Sequence, residues 1–155
     1  KKKKNDCEVL YYRRSGPAEG TSARYAERDE ILETCDIVSL HMPLTEASLH
    51  TIGAAELARM KSDALLVNTG RGGLIDEAAL IDTLTHKRIA GAALDVFTEE
   101  PVEPDNPLLR LDNVLPLPHI GGHSEDNLKR MVNHWASNIR AFHEGRGIDE
   151  SCIVT

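Results

Sequence analysis

Short apolar segments alternating with helix-forming ones predict an α/β chain, a doubly wound parallel sheet with helices on both faces. Three observations carry that reading. The runs DIVSLH (36–41), ALLVN (64–68) and IAGAALDV (89–96) are brief and apolar, as strands of a buried sheet are. Stretches of helical composition separate them. A long segment from Ser124 repeats its apolar residues at three- and four-residue steps, the period of an amphipathic helix.

In chain order, Glu8 to Tyr12 (EVLYY) is apolar and aromatic, which predicts a strand ended by Gly16-Pro17. Residues 26–34 predict a short helix with Ile31 and Leu32 turned inward. Residues 36–41 form a second strand, stopped before Pro43, and 54–60 a second helix. The third strand, 64–68, is apolar on both faces. Asp76 is a credible N-cap for a helix over 77–85, because its carboxylate can accept from the unpaired N–H groups of the first turn. The fourth strand, 89–96, is rich in small residues, which predicts close packing against a helix. A fifth, 113–117, is bounded by Pro116 and Pro118. Ser124 caps the last helix, which runs to about Gly145, and Glu125 and Asp126 favour its positive end. Its stripe is Leu128, Met131, Val132, Trp135, Ile139 and Phe142, so Trp135 reads as a core or interface residue.

A chain of 155 residues is long enough for one domain with a core. The net charge is −7 even with the four lysines at the start included, and an acidic body argues against a nucleic-acid surface. Lys1 to Lys4 read as a solvated terminus. Cys7, Cys35 and Cys152 are odd in number and form no CxxC pair, which predicts reduced thiols, a cytoplasmic setting and no metal site. No apolar run is long enough for a membrane span, and there is no signal-peptide pattern.

In open parallel sheets, ligands bind beyond the carboxyl ends of the strands. That rule selects Arg13 and Arg14, His41 to Thr45, Thr69 to Arg71, Asp95 to Glu100, and His119. Three of these side chains complement one another. Arg71 is a permanent cation with a planar fork of donors, suited to a carboxylate. His119 can give and take a proton near neutral pH. Glu100 could hydrogen-bond that histidine and fix its tautomer. Singly, each reads as an ordinary surface residue; together they suit a 2-keto or 2-hydroxy acid.

The blocks NTGRGGLIDEAAL, IAGAALDVFTEEP and NPLLRLDNVLPLPHIGG resemble the nicotinamide-dependent D-isomer-specific 2-hydroxyacid dehydrogenases, in the order and spacing of that family and over nearly the whole chain. The resemblance implies a Rossmann-like fold with Arg71, Glu100 and His119 as catalytic residues. Arg71 would hold the substrate carboxylate and carbonyl, and Glu100 would pair with His119, the proton donor to the keto oxygen. Asp95 matches the aspartate near the nicotinamide carboxamide. Thr69 and Gly70, with Arg71, His119, Gly121 and Gly122, match positions lining the cofactor, and His41 and Pro43 match the loop beside its adenosine half. Where members that prefer NAD carry an acidic residue after the first of these strands, this chain has Arg13, Arg14 and Ser15, which suit a 2′-phosphate. NADP is therefore expected over NAD. The arginine pair and PHIGG look most like glyoxylate, hydroxypyruvate and 2-ketogluconate reductases. A homodimer is the family's usual state.

Two departures set further expectations. The family's GxGxxG loop and its strand should precede EVLYY, where this chain has KKKKND. The family's substrate domain is not in the sequence either. The chain thus reads as a partial dinucleotide-binding domain over 1–123, truncated at its N-terminus, followed over 124–155 by a helix and tail that would pack on a substrate domain. His123, in GGHS, reads as a helix-start residue. Two other readings stand beside the reductase: a nucleotide-sensing co-repressor-like protein, or an inert fragment.

Overall fold

The computed structural model describes residues 7–148; the readings of Lys1 to Lys4 and of Cys152 fall outside that range. The chain divides into two units, one ending at His119 and the other beginning at Ile120.

The first unit holds β1 (Leu10–Tyr11), β2 (Arg24–Tyr25), α1 (Arg28–Thr34), β3 (Ile37–Leu40), α2 (Ala54–Leu57), β4 (Leu65–Asn68), α3 (Glu77–Thr85), β5 (Gly91–Leu94) and β6 (Val114–Pro116). Every strand pairing is parallel. β1 pairs with β2, and a four-stranded sheet runs in the order β3-β4-β5-β6. Each parallel neighbour needs a crossover to bring the chain back, and α2 and α3 supply the two that flank β4. Leu32 of α1, Leu57 of α2 and Leu80 and Leu84 of α3 share one core with Val38, Leu40, Leu66 and Leu94 of the sheet. That core covers one face. On the other, Ile37, Leu65 and Leu115 are 59%, 43% and 58% exposed, so the two-sided apolar run of β4 is covered on one side within this unit.

Several elements are shorter than the sequence predicts. The helix expected over 54–60 stops at Leu57. Ala58 N–H still reaches back four residues to Ala54, but those of Arg59 and Met60 reach back only three, which tightens the turn and ends it. The helix expected from residue 26 starts at Arg28, because Ala26 N–H donates to the Tyr11 carbonyl and belongs to the β1–β2 pairing. β2 itself goes unpredicted, since two residues carry no periodicity. Of the small residues of 89–96, Gly91 makes room for a neighbouring strand, while Ala92 joins the core that includes Leu80 and Leu84 of α3. A Cβ at Gly91 would lie 2.5 Å from the Asn113 carbonyl oxygen, the group that accepts from Ala92 N–H.

The second unit is dominated by α4 (Glu125–His143). Its Ser124 hydroxyl accepts from Asn127 N–H at 3.1 Å, the cap the sequence predicts. Among the described residues, no helix is long and apolar enough to cross a membrane.

Candidate active site at the strand ends

The loop after β4 is built around Asn68, the last residue of a central strand, paired with Leu40 on one side and Leu94 on the other. Asn68 is fully buried. Its carboxamide oxygen accepts from Gly70 N–H at 3.0 Å and its nitrogen donates to the Arg71 carbonyl at 2.9 Å. Its own carbonyl accepts from Asp95 N–H, tying this loop to the end of β5. Arg71 then leaves the loop exposed, with Nη1 donating to the Gly70 carbonyl at 2.7 Å. Thr69 is exposed and Gly70 half-buried. Gly72 is sterically required: a Cβ there would come within 2.0 Å of the Phe97 backbone. The missing side chain lets the Arg71 loop lie directly against the segment that leads to Glu100.

Beyond β5, Asp95 is buried and Phe97 N–H donates to Glu100 Oε1 at 3.0 Å. The other carboxylate oxygen, Oε2, accepts from His119 Nδ1 at 2.7 Å. Glu100 therefore holds the backbone of its own loop with one oxygen and the imidazole with the other. The His119 bond, then the Phe97 N–H, hold the Glu100 carboxyl below the ordinary glutamate range; partial burial opposes them, and the charges of His119 and Arg71 add to the lowering. Glu100 and His119 are thus paired directly, and the Arg71 charge adds a smaller lowering at Glu100. His119 sits at φ +55°, a left-handed conformation that costs a residue with a Cβ about 1 kcal/mol. The site is open, with the His119 and Glu100 side chains 49% and 37% exposed.

At the end of β1, Gly16 N–H donates to the Arg13 carbonyl, closing a turn in which Ser15 is exposed. The Arg13 guanidinium is turned back on this loop, with Nε to Gly16 O at 2.5 Å and Nη2 to Pro17 O at 2.8 Å. Arg14 reaches the other way, to the Ala47 carbonyl at 3.5 Å, in the segment that follows β3. There His41 Nε2 pairs with Ser39 Oγ at 2.8 Å, and buried Ser48 donates to the Pro43 carbonyl at 2.8 Å, which fixes the loop. Arg14 thereby brings together two segments that the sequence reading assigned to one cofactor.

Gly121 and Gly122 belong to the second unit, where the Gly122 carbonyl accepts from Asn127 Nδ2 at 2.7 Å just ahead of α4. His123 N–H donates to the Ile120 carbonyl in the same turn. Among the described residues, no group of three or more His, Cys, Asp or Glu gathers for a metal ion. Asn68 and Gly72 shape the loop that carries Arg71, and neither stands out in the sequence. The only signal for Asn68 was a lone amide closing an apolar run immediately before Thr-Gly-Arg-Gly.

Residues 1–121 match the family described as D-isomer specific 2-hydroxyacid dehydrogenase, NAD binding domain. The chain is 45% identical over 140 residues to a glyoxylate reductase of Korarchaeum cryptofilum, a match covering 88% of this chain and 42% of the relative. It superposes with a TM-score of 0.76 and 32% identity on the NADPH-dependent glyoxylate/hydroxypyruvate reductase of Sinorhizobium meliloti in complex with NADP and malonate, over 88% of this chain and 42% of that one. With the NAD-complexed D-isomer specific 2-hydroxyacid dehydrogenase of Lactobacillus delbrueckii the TM-score is 0.83 at 30% identity, over 91% and 47%. The chain spans less than half the length of each of these proteins.

Proposed function

This chain belongs to the D-isomer specific 2-hydroxyacid dehydrogenase family, and from that premise we propose that it supplies the nicotinamide-facing part of a reductase that converts a small 2-keto acid to a 2-hydroxy acid with NADPH. The observation that carries the proposal is the 2.7 Å bond between Glu100 and His119, with the Arg71 charge acting on the same carboxylate. Bound NADPH would supply a hydride to the keto carbon. Arg71 binds the substrate carboxylate with its planar fork and polarises the keto oxygen. His119 uses Nδ1 on Glu100, which leaves Nε2 as the nitrogen that presents a proton to that oxygen. Glu100, ionised at neutral pH and anchored by Phe97 N–H, fixes the imidazole's orientation.

The residues at the end of β1 fit a cofactor with a 2′-phosphate better than one without. Two guanidinium groups stand where an acidic residue would repel the phosphate. Arg13 is held by its own loop, so Arg14 is the cation better placed to meet the phosphate. His41, Pro43, Thr69, Gly70 and Asp95 would line the remainder of the dinucleotide.

The test uses the full-length polypeptide that carries this region, with glyoxylate, hydroxypyruvate and 2-ketogluconate offered in turn. Consumption of reduced dinucleotide with at least one of them, at a higher kcat/KM for NADPH than for NADH, is the expected result. Dinucleotide binding without turnover of any of the three would replace the reductase with a nucleotide sensor. Higher efficiency with NADH would remove the 2′-phosphate assignment alone.

A further inference from the structure

Asn68 touches neither of the groups proposed to react, yet its side chain is spent entirely on the loop that carries one of them. We infer that Asn68 is a positioning residue, which sets the orientation of Arg71 toward the substrate carboxylate. This rests on the reductase reading and deepens it. The argument is geometric. The carboxamide oxygen holds Gly70 N–H, in the peptide unit before Gly70, and the nitrogen holds the Arg71 carbonyl, in the peptide unit after Arg71. One rigid planar group thus clamps the chain on both sides of the two residues whose torsions aim the guanidinium. The carbonyl that accepts from Arg71 Nη1 is that of Gly70, so the clamp also fixes the acceptor on which the guanidinium rests.

The clamp has a firm base. Asn68 is fully buried, and its own backbone is locked into the sheet between Leu40 and Leu94. Burial in a low-dielectric interior strengthens both bonds and makes their loss costly. Only an amide provides a donor and an acceptor at this spacing. An aspartate of the same shape would keep the Gly70 bond but set a carboxylate oxygen against the Arg71 carbonyl, and a serine could reach at most one of the two partners.

The experiment is a double-mutant cycle in the full-length enzyme, built from Asn68→Ala, Arg71→Ala and the pair, with Asn68→Ser as a second single variant. Asn68→Ala is expected to raise KM for the keto acid about tenfold, with a smaller rise in the dissociation constant for NADPH, since Gly70 also lines the dinucleotide. In the Arg71→Ala background the same change should cost almost nothing further, because the residue it acts through is gone. Asn68→Ser should fall between wild type and Asn68→Ala. Equal losses from Asn68→Ala in both backgrounds would overturn the inference. So would loss of NADPH binding and of the cooperative thermal transition in both Asn68 variants, which would mark a purely structural role. If Arg71→Ala leaves wild-type turnover intact, the reductase reading fails instead.

Discussion

α3 and α4 are built on the same plan and end differently. Each opens on a capping side chain, Asp76 accepting from Ala79 N–H at 3.2 Å and Ser124 from Asn127 N–H at 3.1 Å. Each carries an acidic residue in its first turn, matched to the positive end of the helix dipole. α3 buries Leu80, Thr83 and Leu84 in the core beneath the sheet. α4 has the cleaner apolar stripe and buries none of its residues: Trp135, Ile139 and Phe142 are 55%, 70% and 75% exposed. Periodicity thus decides that a helix forms and which face seeks cover. Whether cover arrives depends on the rest of the polypeptide or on a partner, which the helix's own sequence does not record.

The sharpest way to break this comparison is to truncate one apolar residue on each helix. Leu84→Ala removes a fully buried side chain and leaves a cavity, so it should cost about 2–5 kcal/mol in urea denaturation. Ile139→Ala removes a side chain that is already mostly in water and should stay within about 0.5 kcal/mol. A large loss from Ile139→Ala would mean that the stripe of α4 is covered in solution.

The same contrast explains what could be read in advance. The bounds of α3, Glu77–Thr85, follow from a cap and a period that are both local, and they are found as expected. The strand-end rule picked out Arg71, Glu100 and His119 because open parallel sheets present their loops on one edge, and the expected Glu100–His119 bond is present. What stayed hidden depends on close contact between distant segments. β2 exists only because Arg24 and Tyr25 lie beside β1. Gly72 is required only because Phe97 passes over it, and Arg13 is engaged only because its own turn folds back. None of these leaves a trace in composition or period. The exposed face of the sheet belongs with them: Ile37 and Leu65 look like core residues in sequence and are in water here.

A gentler probe of the two helices is to remove their caps. Asp76→Ala should cost about 1 kcal/mol, measured on the whole first unit, because α3 is packed into its core. Ser124→Ala deletes an equivalent bond, but on a helix with no buried residue. Its effect should appear as faster amide exchange in the first turn of α4, with little change in the urea midpoint. A matching drop in midpoint for both variants would show that the two helices melt as one.

The smallest effect sharpens the comparison at the site itself, where the Glu100–His119 pair is intermediate in exposure. The Glu100 carboxyl is held below the ordinary glutamate range, chiefly by the His119 bond. A carboxyl depressed in the folded state stabilises the fold fully above its unfolded value, and that contribution disappears as pH falls through the folded value, because the unfolded chain binds the proton first. Wild type should therefore exceed Glu100→Gln in stability at neutral pH and converge with it once the pH drops below the carboxylate range. Solvent screens a pair that is 37% and 49% exposed, which limits the difference to about 0.5 kcal/mol. Urea midpoints of the two proteins followed from neutral to acidic pH check the sign. A gap that widens on acidification would mean that the folded state favours the protonated carboxyl, and the anchoring of His119 by an ionised Glu100 would have to be abandoned.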